Sequence, residues 1–365
     1  MYSARMRKAG LVFLAGILIV ALVWLIQWTM PDLVLVDFSF TFYRAARYLL
    51  RGENVYINVY PHPSNGREYP PFNPIWILYS VVPISGFPHS GAEALRFLFD
   101  LAAIPFLAFL CARWAGVESV SRIGLLALAP WHFMVLYSGQ WSALALLGLF
   151  MCYWGTRRAN VSVTAVGLLL VLAKPNVTVS VTLATLLFAW RRGILFKTVA
   201  LFIALAAVFS LAQPTWMFDL LSLYLNRMVH PRLDDSMLLL PGYPWTQMVL
   251  LATSTLFLLT YFWKSREIQP PLWLWALLTC VSLVGALHTF TYDWLLLMLP
   301  LAWLLRQRYM IYVVGALYAY PFVWAFLLSL RIVLPAPTII PFAILIALII
   351  WRILATSTSV SPDPR

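Results

Sequence analysis

The chain has 365 residues, 62% of them hydrophobic and only 10% charged, with a mean hydropathy of +0.85. Soluble domains carry about 45–50% apolar and about 25% charged residues, so a water-soluble fold is excluded, and disorder, which needs low hydrophobicity, falls with it. The net charge of +12 would suit a nucleic-acid partner, but the basic residues come as short clusters between apolar runs. That pattern sets membrane topology, and no nucleic-acid partner is expected.

The apolar excess is arranged in blocks of helix-spanning length. Barrel strands would alternate in polarity, and 11–28 and 339–351 do not. The expected fold is therefore all-α, a polytopic membrane bundle. Basic residues Arg5, Arg7 and Lys8 precede an uncharged stretch, 11–30, which reads as a first span entering from the cytoplasm rather than a cleaved signal peptide. Later spans are expected near 92–112, 119–137, 141–156, 160–173, 176–190, 194–213, 244–263, 270–287, 292–306, 309–330 and 336–354. Twelve helices with both termini inside follow, forming one domain over 1–354 with a polar tail at 355–365.

Charge counting supports that register. Sixteen of the 25 Lys and Arg residues fall in expected cytoplasmic segments, among them Arg157/Arg158, Arg191/Arg192/Lys197, Lys264/Arg266 and Arg306/Arg308. Of the thirteen acids, only Glu118, Glu267 and Asp363 lie there. The apolar stretch 74–83 is too short to span; counting it as a span would put the Arg doublets outside, so it reads as a juxtamembrane or re-entrant element. Cys111, Cys152 and Cys280 lie in apolar runs, and neither a disulfide framework nor a metal cluster is expected.

Two outer loops are long, 31–91 and 214–243, and long loops in compact bundles are usually functional or disordered. In the first, Asp37, Thr41, Arg44, Tyr48 and Arg51 share one helical face and Phe38, Phe42, Ala45 and Leu49 another, with Gly52 in the position of a C-terminal cap. Two readings stay open. One is an interfacial helix with Asp37 as N-cap and arginines reaching lipid headgroups; the other is a catalytic face. Tyr69-Pro70-Pro71 is a stiff, extended segment. In the turn Ser138-Gly139-Gln140-Trp141, Gln140 could bond a sugar hydroxyl or simply face solvent. The span 160–173 covers only about 21 Å at 1.5 Å per residue, against a core of about 30 Å. Lys174 should therefore lie below the outer surface, where it must reach water, a carboxylate, a headgroup or an anionic ligand. Asp100 is costly in lipid and should pair with a cation or line a cavity. Asp293 ends the run His288-Thr-Phe-Thr-Tyr-Asp293 at the outer end of a span. Asn226, Arg227, His230, Arg232, Asp234 and Asp235 form a charged cluster without a defined motif, read first as solvated surface and second as an acceptor site.

One carboxylate with several cations beneath a membrane roof suits a sugar carried on a lipid phosphate. The carboxylate takes a proton from the acceptor hydroxyl, and cations stabilise the departing phosphate. Phosphate leaves readily, so one acid can serve where glycosidases need two.

The arrangement Asp37-Phe38, Tyr43, Ala46, Leu50, Gly52, Tyr56 and Tyr69-Pro70-Pro71, followed by Gly139-Gln140 and Lys174-Pro175, resembles glycosyltransferase family 87 over roughly 30–192. These are integral-membrane GT-C enzymes that include polyprenyl-phosphate-mannose-dependent α-mannosyltransferases elongating phosphatidylinositol mannosides. The first block is its specific part. Two positions depart from the pattern: Val55 stands where proline is usual, and 288–293 replaces a late Ser-Pro followed by His. The resemblance implies an inverting hexosyltransferase, with mannose the first expectation, working at the outer face of the cell (plasma or inner) membrane. Its donor would be a polyprenyl-phosphate sugar and its acceptor a glycolipid or glycan. Asp37 would be the base, Arg44, Lys174 and Arg51 the phosphate contacts, and Tyr43, Tyr69, Gln140, His288 and Asp293 the lining. No second acid adjoins Asp37, so metal independence is expected, with no cofactor. The rival expectation is a transporter or flippase for a lipid-linked sugar, which predicts internal repeats; none is detectable.

Overall fold

The computed structural model describes residues 35, 37–57, 71, 73–229, 245–265, 267–286, 289–329 and 339–357. Among them the chain is helical, without strands. The expected first span, 11–30, lies outside the described residues. A π-helical turn, Phe38–Tyr43, runs into α1 (Arg44–Leu50), and two short helices follow, α2 (Ile75–Tyr79) and α3 (Val82–Ser85). Then come α4 (His89–Ala115), α5 (Val120–Ala127), α6 (His132–Ser138), α7 (Ser142–Arg158), α8 (Val161–Val171), α9 (Pro175–Arg191) and α10 (Leu195–Ser210). The remainder is α11 (Trp216–Val229), α12 (Trp245–Lys264), α13 (Leu272–Val284), a 3₁₀ segment Thr291–Leu297 leading into α14 (Met298–Leu304), α15 (Met310–Ser329) and α16 (Ile340–Ser357).

By length and composition, α4 and α12 can cross a membrane, and α5 with α6 pass as one span bent by 46°. Several other apolar helices are shorter, and the twelve spans expected from hydropathy are not confirmed among the described residues. The bend is local chemistry: Pro130 follows the end of α5 and cannot donate to a helical ladder. A stretch expected to be loop, 214–243, contains α11. In the stretch expected as one α-helix, 292–306, the chain begins as 3₁₀. The stretch 74–83 forms α2 and α3, both too short to span, in keeping with a juxtamembrane or re-entrant element.

The tightest pairing is the α7–α8 hairpin. Ala159 takes a left-handed conformation, φ 51°, and the Asn160 side chain accepts from the Val163 amide at 3.0 Å, so one helix ends and the next starts within two residues. Glycines let the backbones touch. A Cβ on Gly148 would lie 2.4 Å from the Val171 nitrogen, one on Gly155 2.8 Å from the Thr164 nitrogen, and one on Gly167 2.7 Å from the Cys152 nitrogen. Backbone cannot swing aside as a side-chain tip can, so Gly148→Ala is expected to destabilise by roughly 1–3 kcal/mol. Gly315→Ala in α15, with open space around its Cβ position, should be neutral or slightly stabilising. Thermal unfolding of both variants in detergent checks the contrast.

Two apolar clusters result. The larger runs through α4–α9 and α12–α16; the smaller is built by the first outer loop with Trp141, Leu169, Ala173, Trp216 and Leu220. The apolar face of the helix expected at the lipid interface is thus packed against protein, while Arg47, Leu50 and Arg51 stay exposed. Phe38, Phe42, Ala45 and Leu49 are buried as their shared face predicts, but so are Ser39, Tyr43 and Ala46. Gly52 has φ +73°, in keeping with a C-terminal cap. Asp37 precedes the first turn without capping it. That anchoring comes instead from Glu93 of α4, a buried carboxylate accepting from the Ser39 hydroxyl and from the Leu35 amide at 3.2 Å.

Candidate functional site

The long loop after the first expected span is tied to the bundle by hydrogen bonds. The Asn73 amide donates to the Ala173 carbonyl at 2.7 Å, and the Trp76 indole N–H to the Leu169 carbonyl at 3.0 Å, docking this segment on the end of α8. Asn54 donates to Asp219 of α11 at 2.8 Å, and Gln213 to the Glu53 carbonyl. Tyr56 donates to the Asn73 carbonyl at 2.8 Å; burial, with Tyr224 and Asp219 nearby, pushes its phenol well above the usual range and keeps that donor protonated.

These ties bring the loop to a cluster of polar side chains, the basin, at the junction of α6–α7, α8–α9 and the 3₁₀ segment. Gly139 makes the junction possible. Its φ is +66°, which terminates α6, and an added Cβ would stand 2.7 Å from that of Phe38. The next residue, Gln140, donates from Nε2 to an Asp37 carboxylate oxygen at 2.9 Å. Its Oε1 is buried with no hydrogen-bond partner among the described residues. Two residues on, the Ser142 hydroxyl donates to Asp293 at 3.2 Å. One short turn therefore holds two carboxylates.

Asp293 is 1% exposed and also accepts the Phe290 amide at 3.1 Å. Its charge partner is Lys174, whose Nζ lies 3.2 Å from the same oxygen that Ser142 contacts and 4.5 Å from the centre of the Tyr292 ring. The buried lysine is thus paired with a carboxylate, one of the partners expected for it. Tyr292 interacts electrostatically with both Asp37 and Asp293, which joins the two halves of the basin. Tyr224 of α11 reaches it from above; burial raises its phenol pKa and Asp293 adds to the rise.

Beneath Gln140 lies a second buried pair. Arg96 donates two hydrogen bonds to Asp100, at 2.8 and 3.0 Å, one turn along α4. It also donates to the Gln140 carbonyl at 2.6 Å and lies 3.9 Å from the Trp141 ring centre. Asp100 therefore has the cation its position requires.

The expected phosphate contacts Arg44 and Arg51 each have local partners. Arg44 lies over the Phe40 ring at 5.2 Å, and Arg51 lies over Tyr48 at 5.5 Å and 3.9 Å from Glu53. Tyr43, expected to line the site, is buried; its hydroxyl donates to the Phe87 carbonyl at 2.9 Å and its ring packs on His89. Tyr69 and His288 lie outside the described residues, as do His230, Arg232, Asp234 and Asp235 of the charged cluster. Ser142, Tyr292 and Arg96 were not singled out from sequence. The four-residue spacing of Arg96 and Asp100, and the adjacency of Tyr292 to Asp293, are the signals that mark them.

Comparisons with protein-family models, curated proteins and solved structures find no match to this chain.

Proposed function

We propose that this chain is an integral-membrane glycosyltransferase of the GT-C type, moving a hexose, mannose first, from a polyprenyl-phosphate donor to a glycolipid or glycan acceptor. The observation that carries the reading is the turn from Gly139 to Ser142, which links Asp37 on one side to the Lys174–Asp293 pair on the other. A base and a cation thus share one basin, and the unpartnered Gln140 Oε1 beside Asp37 is an acceptor that a sugar hydroxyl would satisfy.

Asp37 suits the base better than Asp293. It is half-buried and within reach of a substrate, whereas Asp293 is sealed and held by Lys174, Ser142 and backbone. In the reaction the acceptor oxygen attacks the anomeric carbon. The bond from that carbon to the phosphate oxygen breaks, its electron pair leaves with polyprenyl phosphate, and Asp37 takes the hydroxyl proton. Attack opposite the leaving group inverts the anomeric configuration. Lys174 has three N–H donors, so an ammonium held by Asp293 retains others for the departing phosphate. The same reading keeps twelve spans, both termini cytoplasmic, and the basin on the outer side of the cell membrane.

The test is to give the purified, reconstituted chain a panel of radiolabelled polyprenyl-phosphate hexoses with a lipid extract as acceptor source. A labelled glycoside and free polyprenyl phosphate are expected. Donor crossing the bilayer with no covalent product would replace this reading with a flippase.

A further inference from the structure

The opposite end of the bundle carries a second site. Ser142, at the start of α7, belongs to the basin; Arg157 and Arg158, in its last turn, lie about 22 Å further along the helix axis. There Trp114, Tyr153, Trp154, Arg157, Arg158 and Gln269 line a cavity of about 430 Å³, within the roughly 300–1,000 Å³ range of small-ligand sites.

Its charge is unbalanced. Arg157 donates to the Gln269 amide oxygen at 3.1 Å and to the Tyr153 hydroxyl at 2.7 Å, both neutral groups that aim the guanidinium without neutralising it. Arg158 has no protein hydrogen-bond or ion-pair partner among the described residues. The Glu267 carboxylate, two residues from Gln269, does not line the cavity and accepts from the Tyr261 hydroxyl at 2.6 Å. Nor are the arginines needed to cap α7, because the Ala159 and Asn160 amides already meet the Thr156 and Gly155 carbonyls. Two cations therefore face one cavity, with no anion from the described residues to match them.

We infer that this cavity binds the phosphodiester headgroup of an anionic phospholipid in the leaflet at that end. A guanidinium fork fits phosphate oxygens in pairs, and the walls specify a lipid over a free ion. Trp114, Tyr153 and Trp154 are the aromatic types that gather at headgroup level, and Trp154 is 42% exposed at the mouth. The acyl chains would lie along the apolar flank of α7. The site is independent of the outer basin and of any reaction there.

The inference is tested on the full chain in detergent. Native mass spectrometry and thermal unfolding are followed while phosphatidylglycerol, phosphatidylcholine or inorganic phosphate is added. Phosphatidylglycerol should bind about thirtyfold more tightly than phosphatidylcholine, roughly fivefold for each arginine, and raise the unfolding temperature. Arg157→Gln/Arg158→Gln should abolish the preference and leave transfer chemistry at the outer face unchanged. Equal binding of the two lipids, an unaltered preference in the double variant, or saturation by inorganic phosphate in place of the lipid would each overturn it. If the double variant does not fold, Arg158→Gln alone, which breaks no internal hydrogen bond among the described residues, should reduce the preference about fivefold.

Discussion

Replacing Asp37 by Asn is expected to lower hexose transfer by about 10²–10⁴-fold, the usual contribution of a positioned general base, without unfolding the protein. The substitution keeps size and shape, and its amide oxygen can still accept from Gln140. No helix cap is lost, because the Asp37 side chain does not cap the turn that follows it. The unfolding temperature should therefore stay near that of the parent while the product signal disappears. The measurement is initial rate at saturating donor, beside an unfolding curve on the same preparation. Near-normal turnover by folded protein would remove Asp37 from the role of base.

The second large effect concerns α4. Arg96 and Asp100 are 2% and 0% exposed, so removing either leaves the other charge buried without its partner. Arg96→Ala is expected to cost about 3–5 kcal/mol of stability. Replacing both by leucine should cost much less, since no charge is then stranded. That double variant separates support from chemistry. Arg96 also holds the Gln140 carbonyl, and Gln140 donates to Asp37, so in the proposed transfer Arg96 would act as a positioning residue. Transfer by the folded double variant should fall by up to about a hundredfold, the penalty of a roughly 1 Å misplacement of a reacting group. Unfolding curves and single-turnover rates measured together check both statements. A double variant as unstable as Arg96→Ala would show that the pair contributes more than mutual neutralisation.

The features legible in the sequence are those written within a few neighbouring residues. Hydropathy blocks exclude a soluble fold. Spacing at the helical period separates the buried Phe38, Phe42, Ala45 and Leu49 from the polar face of their helix, and Gly52 marks its end. Simple length arithmetic marks Lys174 as a cation in need of a partner, and it is buried beside Asp293. α11 was missed because Asp219, Asn226 and Arg227 break its apolar runs, so it resembles a loop until the first outer loop supplies a surface for it to pack on.

What tertiary structure decided is which charges meet. Composition places four arginines between residues 31 and 91, yet a cation's sequence position specifies only the sign of its partner. The Gln140–Asp37 bond joins residues 103 apart and the Ser142–Asp293 bond residues 151 apart. Both depend on how the α6–α7 turn, the α8–α9 break and the 3₁₀ segment are brought to one end of the bundle. Local periodicity reports which face of a helix is apolar; only the packing of helices against one another selects, from several possible partners, the carboxylate that a buried lysine must have.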